Sequence, residues 1–234
     1  MTLREGDIRP SVPRHRLTPE LVIQGYSLGV FPMARHRDAV DVQWVSPMMR
    51  GVLPLDEFHV PGRLKKTIRQ KPYQICVDTD FERVIHACAC PRGNRTDTWI
   101  NNQIIRVFCQ LHQLGYAHSV EAWHDGELVG GLYGMALGGV FFGESMFSCE
   151  PDSSKIALVY LVALLNRGDF VLLDTQFVTD HLRQFGAVEI SGALYLRRLH
   201  DALGQSCCFY SNLLDEELDS SVETLLIQSS TQTS

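Results

Sequence analysis

Residues 143–148 read Gly-Glu-Ser-Met-Phe-Ser and stand between two apolar runs, Val140–Phe142 and Ile156–Leu165. The first run predicts a buried strand, and the second predicts a helix that starts after Asp152. Glu144 therefore falls among aromatic and small residues at the end of a buried strand. An ionised carboxylate there is costly to desolvate unless it is paired or meets a cationic ligand. Two readings stay open at this stage: a salt-bridged core glutamate, or a seat for a cation.

Working outward, three strands follow in hairpin order at 117–123, 127–136 and 139–147, with turns at His124-Asp125-Gly126 and Gly138-Gly139. Asp152 is placed to cap the next helix. Phe170–Asp174 is continuously apolar and reads as a central strand. Thr179–Phe185 predicts a helix stopped by Gly186, and Ala193–Leu203 predicts a last one. On the N-terminal side, Thr18-Pro19-Glu20 is a helix start, with a capping hydroxyl, Pro at the first helical position and an acid in the first turn. Val42–Val45 reads as a strand, Pro61–Lys71 as a basic helix and Tyr73–Val77 as a strand. Asp80 caps a helix, and another runs from about Ile100 to Leu114. This order predicts an α+β fold: a small N-terminal domain (1–60) before a GNAT-like, acetyltransferase-like mixed-sheet domain (61–205). Residues 206–234, acidic and ending in Ser, Thr and Gln, are expected to be a disordered tail.

The bulk numbers bound the class. A chain of 234 residues fits one or two domains, and 45% hydrophobic with 21% charged residues is ordinary for a globular protein. No apolar window is long enough to span a membrane, and residues 1–16 carry four arginines with no apolar signal core, so a cytoplasmic protein is expected. Seven cysteines at irregular spacing match no zinc pattern. Reduced, mostly buried thiols are expected, with no metal and no cofactor. The net charge of −6 is unevenly spread: residues 1–75 carry +5 and residues 76–234 carry −11. A basic front and an acidic back suit a polyanion on one face and a cation on the other.

Two further groups of residues could carry chemistry. Asp174 closes an apolar strand, where ligands sit in open sheets, and residues two apart on a strand share a side, so Asp174 and Gln176 are expected to point together. A carboxylate beside a carboxamide can hold and deprotonate an ammonium group; a helix cap with a loop amide is the plainer alternative. Trp44 precedes Ser46-Pro47 and Trp99 follows a polar loop, positions that suit base stacking, with core anchoring the commoner alternative. His118 and His181 are candidates only through the fold. The chain has no GxxxxGK[ST] phosphate loop and no GxSxG elbow.

An ordered set of short motifs then resembles one family. Tyr26-x-x-Gly29-x-Phe31-Pro32-Met33, Trp44-x-Ser46-Pro47 and Arg50-Gly51-Val52-Leu53-Pro54 come first. Thr98-Trp99-Ile100, Ala117-His118-Ser119-Val120-Glu121 and Leu128-Val129-Gly130-Gly131-Leu132-Tyr133-Gly134 follow. Cys88-Ala89 also belongs to it, and Gly143–Ser148, Ser154-Lys155, Asp174-x-Gln176, His181-Leu182 and Gly186-Ala187 complete it. The chain resembles the leucyl/phenylalanyl-tRNA–protein transferases over about residues 17–203. The resemblance implies transfer of Leu or Phe from aminoacyl-tRNA to the N-terminal Arg or Lys of a protein, marking it for N-degron degradation, by a monomer without metal or ATP. It implies that Asp174 and Gln176 handle the attacking amine and that Glu144 holds the basic acceptor. Trp44 and Trp99 would flank the terminal adenosine, and Leu132, Phe141 and Leu173 would line the side-chain pocket. Cys149, Ser153 and Gly192 depart from the residues usual in that family.

Two other classes are weighed against this one. An acyl-CoA-dependent acetyltransferase would want a Gly-rich pyrophosphate loop at a helix start, and Ser148–Lys155 contains no glycine. A non-catalytic RNA-binding protein would leave acids at strand ends unexplained.

Overall fold

The computed structural model describes residues 17–91 and 96–231. Chain order begins with α1 (Pro19–Ser27), the two-stranded pair β1 (Phe31–Ala34) and β2 (Val42–Val45), β3 (Met49–Leu53) and α2 (Gly62–Arg69). It continues with β4 (Gln74–Val77), α3 (Phe81–Ala89), α4 (Asn102–Gln113), β5 (Ala117–His124), β6 (Glu127–Leu137) and β7 (Val140–Ser148). The last elements are α5 (Ser153–Arg167), β8 (Leu172–Gln176), α6 (Asp180–Arg183), β9 (Val188–Ser191), α7 (Gly192–Leu203) and α8 (Asp215–Thr231). The fold is thus α+β, with a seven-stranded mixed sheet in the order β4-β5-β6-β7-β8-β3-β9. Among the described residues, only β7 and β8 run parallel.

One pairing decides where a site can form. β7 and β8 are bonded only from Val140–Phe142 to Leu172–Asp174. Beyond that, β7 continues on β6 and β8 continues on β3. The two strands part, and Gly143–Ser148 forms one wall of the opening. Each parting strand also carries a bulge. Gly143 and Ser145 oppose the consecutive residues Gly134 and Tyr133, so Glu144 is the extra residue in β7. Gln176 and Asp174 oppose Gly51 and Val52, so Thr175 is the extra residue in β8. A bulge reverses which face later residues take. Phe141 and Met146 therefore share the α5 face, while Phe142 and Phe147 share the opposite one.

The parts expected from sequence form with small changes. Thr18 caps α1, accepting from the Leu21 amide at 3.3 Å. Thr179 caps α6, which is shorter than expected. Asp152 does not cap α5: it sits at φ +62 and its carboxylate instead meets Lys155 Nζ at 2.6 Å. The short strands β1, β3 and β9 were not expected. Met49–Leu53, inside the unit expected at 1–60, lies in the large sheet between β8 and β9. Of the seven cysteines only Cys88 is buried, against the expectation of mostly buried thiols.

The largest correction concerns the C-terminus. Residues 215–231 form α8 rather than a disordered tail. Leu218, Val222, Leu225 and Leu226 recur at helical spacing and are buried in the same core as α5. Acids at Asp215, Glu216 and Glu217 suit a helix N-terminus. The reason for the cover is α5 itself: Ile156 through Leu165 are all buried, so this helix needs partners on every side. The sheet supplies one and α8 another. α8 also ties down the basic helix. Glu223 pairs with Arg69 at 2.7 Å, Asp219 pairs with Lys71, and Lys65 Nζ donates to the Leu226 carbonyl at 3.1 Å. Of the basic side chains of that helix, Arg63 and Lys66 make no ion pair with α8 among the described residues, and both are exposed.

Truncating a packed side chain of α8 tests this. Leu226→Ala, at a site with no exposure, is expected to lower unfolding free energy by about 2–5 kcal/mol. Denaturant unfolding measures it, and an unchanged midpoint would mean that the helix does not pack.

Candidate active site

The parted strands open a cleft of about 910 Å³. Its β7 wall is Gly143–Ser148, and its β8 wall is Leu173, Thr175, Gln176 and Phe177. Leu132 from β6 and Leu158 and Leu161 from α5 join Met146 and Leu173 on one side, giving an aliphatic pocket. Phe31, Arg35, Gln43 and Trp99 close the other end. One side is aliphatic, and the lining acids are Glu144 and Asp97, with Asp174 buried behind the wall.

Asp174 is held far more tightly than the sequence suggested. Arg50 grips it with two bonds, Nε to Oδ1 at 2.9 Å and Nη2 to Oδ2 at 2.6 Å. The Tyr195 hydroxyl donates to Oδ2 at 2.8 Å, and the Gln176 amide donates to Oδ1 at 2.8 Å. Arg50 is 1% exposed and Asp174 0%. Arg50 also donates to the Gly29 carbonyl at 3.2 Å and lies 4.5 Å from the ring centres of Phe31 and Tyr195. Both oxygens of Asp174 are occupied by protein groups. The alternation that was expected to aim Asp174 and Gln176 the same way is broken by the bulge at Thr175.

Glu144 is in the opposite condition. It lines the cleft and is half-buried. The Tyr26 hydroxyl donates to Oε1 at 2.5 Å, and Gln176 Nε2 donates to the same oxygen at 3.3 Å. Burial pushes its carboxyl up to about 8. The Tyr26 bond opposes this, the charge of Asp174 adds to it, and Arg50 opposes it again. The nearby cation is thus already committed to Asp174. Glu144 carries a proton at neutral pH unless another cation arrives.

Gln176 bridges the two acids. Its backbone donates to Asp174 and its side chain to Glu144. It sits at φ +55, and the Phe177 amide donates to the Thr175 carbonyl at 2.5 Å. A three-residue turn around a non-glycine residue at positive φ is strained, and such strain gathers at functional sites. Three other lining side chains hold buried polar atoms with no protein partner: Tyr133 Oη, Thr175 Oγ1 and His181 Nε2. Each is costly unless a substrate's polar atoms meet it. Burial, reinforced by the Lys155 charge, lowers the His181 pKa, with Asp152 opposing, so its ring is neutral at pH 7.

The remaining expected residues divide. Trp99, Leu132 and Leu173 line the cleft. Trp44 does not: its ring packs on α1, where a Cβ added at Gly25 would come within 2.2 Å of it. Phe141 is fully buried behind the cleft and is not part of its wall. His118 binds Asp78 Oδ2 at 2.7 Å, away from the cleft lining. Tyr26, Arg50 and Tyr195 were missed as site residues. Tyr26 and Arg50 stood inside quoted motifs, but nothing local marked their partners, which lie 118 and 124 residues along the chain.

Known proteins match the chain over most of its length. The family model for leucyl/phenylalanyl-tRNA protein transferase matches residues 52–200, and the model for the N-terminal domain of the same family matches residues 15–48. A leucyl/phenylalanyl-tRNA–protein transferase of Paramagnetospirillum magneticum is 58% identical, covering 84% of this chain and 94% of the relative. One from Nitrobacter winogradskyi is 54% identical over 80% of this chain and 83% of the relative. One from Caulobacter vibrioides is 55% identical over 82% and 89%. The chain belongs to the leucyl/phenylalanyl-tRNA–protein transferase family, the aminoacyltransferases that move Leu or Phe from aminoacyl-tRNA onto acceptor proteins.

Proposed function

We propose that the cleft brings the aminoacyl ester and the acceptor N-terminus together across the parting of β7 and β8, and that the acceptors begin with Arg or Lys. The observation that carries this is Glu144: a half-buried carboxyl raised to about 8, with the neighbouring arginine committed elsewhere. An N-terminal Arg or Lys brings a side-chain cation for Glu144 and an amine for Gln176. The aliphatic group of Leu132, Met146, Leu158, Leu161 and Leu173 suits the Leu or Phe side chain of the donor. Trp99, at the far end, suits stacking on the terminal adenine. Asp174 acts from behind Gln176. Partially closed strands beside a buried helix support the GNAT-like reading of the sheet, and the junction of the family models between residues 48 and 52 supports a domain boundary there. The chain acts as a monomer in the cytoplasm in this reading.

The reaction needs little beyond placement. The ester is already activated. The amine nitrogen forms a bond to the ester carbonyl carbon, the carbon–oxygen bond to the ribose breaks, and one amine proton leaves, to the ribose oxygen or to solvent. An α-amine with a pKa of about 7.7–8.0 is partly neutral at working pH, so a strong base is not required. Orientation of bound partners reaches effective molarities of about 10⁵–10⁸ M. Gln176 can orient the amine by accepting one of its hydrogens.

Two outcomes check the assignment. Glu144 must be ionised to hold a cationic side chain, and it is mostly protonated at pH 7 and mostly ionised at pH 9. The preference for Arg-initiated over Ala-initiated peptides, as a ratio of kcat/KM, should therefore rise about tenfold from pH 7 to pH 9 and then flatten. Titration of the attacking amine is common to both peptides and cancels. A ratio independent of pH, or equal rates for the two peptides, would remove Glu144 as the acceptor seat. For the donor, Trp99→Ala should weaken aminoacyl-tRNA binding by about 1–3 kcal/mol. Trp44→Ala should act on stability instead. The opposite pattern, measured by equilibrium binding and thermal melting, would return Trp44 to the adenosine site.

A further inference from the structure

We propose that Arg50, Gly51 and Tyr195 are positioning residues that hold Gln176 in its working conformation, with Asp174 as the acceptor at the centre of the clamp and not a proton acceptor for the amine. This rests on the role proposed for Gln176 in orienting the amine.

The left-handed backbone at Gln176 persists only if its surroundings over-determine it. Its amide is fixed by Asp174 Oδ1. Asp174 is fixed in turn by the Arg50 fork and the Tyr195 hydroxyl. Arg50 is fixed by the Gly29 carbonyl and by the Phe31 and Tyr195 rings. The chain of contacts therefore runs from α1 and α7 through β3 to the turn. Gly51 completes it by supplying space. It lies opposite Gln176, and a Cβ there would come within 2.6 Å of the Phe177 carbonyl carbon. One dipeptide of β3 thus provides both the cation that fixes the acid and the gap that admits the turn. The result is a carboxamide whose Nε2 meets Glu144, leaving its oxygen as the acceptor for an amine hydrogen. A carboxylate with two arginine bonds, a tyrosine bond and an amide bond has no lone pair left in good geometry for the substrate.

Single-turnover transfer rates in two double-mutant cycles test this. Tyr195→Phe removes one bond to Asp174 and keeps the ring over Arg50. Arg50→Lys keeps the charge and loses the fork. Each is expected to lower the transfer rate at saturating acceptor about ten- to hundredfold, the range for a misplaced group, with little change in acceptor KM. In a Gln176→Gly background, where glycine accepts the positive φ and the carboxamide is gone, both effects should vanish. The Tyr195→Phe cycle stands alone if Arg50→Lys does not fold. Fully additive effects would overturn the clamp, as would wild-type rates in Tyr195→Phe and Arg50→Lys. A wild-type rate in Gln176→Gly alone would overturn the role of Gln176 itself, and the clamp with it.

Discussion

The buried ion pair between Arg50 and Asp174 is the contact on which the other features of the site depend. Removing two charges from water is costly, and such a pair is retained with many hydrogen bonds or not at all. Here all three guanidinium nitrogens of Arg50 bond within the protein, to Asp174, Gly29 and Tyr195. The pair joins β3 to β8 across the sheet and draws in the end of α1 and the side of α7. Removing either partner would strand the other charge, at a cost of about 3–5 kcal/mol. Its chemical consequence is as important as its structural one. It commits the nearby cation to Asp174, so one acid is saturated, and in the proposed function the other takes its partner from the acceptor.

The sheet supplies the room for that partner. Parallel strands that stay paired would bury Glu144 and Thr175 in a continuous ladder. The separation after Phe142 and Asp174, with a bulge on each strand, turns those residues into the wall of a cleft. The bulges also sort the walls by chemistry. The aliphatic side chains face α5, and the acids face α1 and α7. A donor with an apolar side chain and an acceptor with a cationic one can then approach the same point from different sides.

Much of this was legible in the sequence, and the reasons are local. Continuous apolar runs marked β7, α5 and β8, and capping residues marked α1 and α3. Glu144 stood out because an acid among Phe and Gly beside buried apolar runs has few structural excuses, although it lies at a bulge inside β7 and not at the strand's end. What was not legible depends on distant partners. Arg50 looked like one basic residue among twelve in the first 75. Its burial is visible only once β3 is threaded between β8 and β9. The bulges reverse the alternation on which the shared facing of Asp174 and Gln176 was argued, and a bulge leaves no mark in composition. The tail misled because its acids and hydroxyls outnumber its apolar residues. The four that matter, Leu218, Val222, Leu225 and Leu226, form a stripe. The better clue lay in α5, whose unbroken apolar surface requires a second cover. That cover also absorbs charge that the uneven distribution had suggested was free for a polyanion.

In the proposed function, Glu144 is a carboxyl held short of cations until an acceptor brings one. A carboxyl ¹³C NMR titration of the labelled protein, with Glu144→Gln for assignment, tests it most directly. One resonance with a midpoint near 8 is expected, absent in the variant. That midpoint should fall when an Arg-initiated peptide is added and stay in place with an Ala-initiated one. A Glu144 midpoint in the ordinary carboxylate range, about 4, in the free protein would contradict the account.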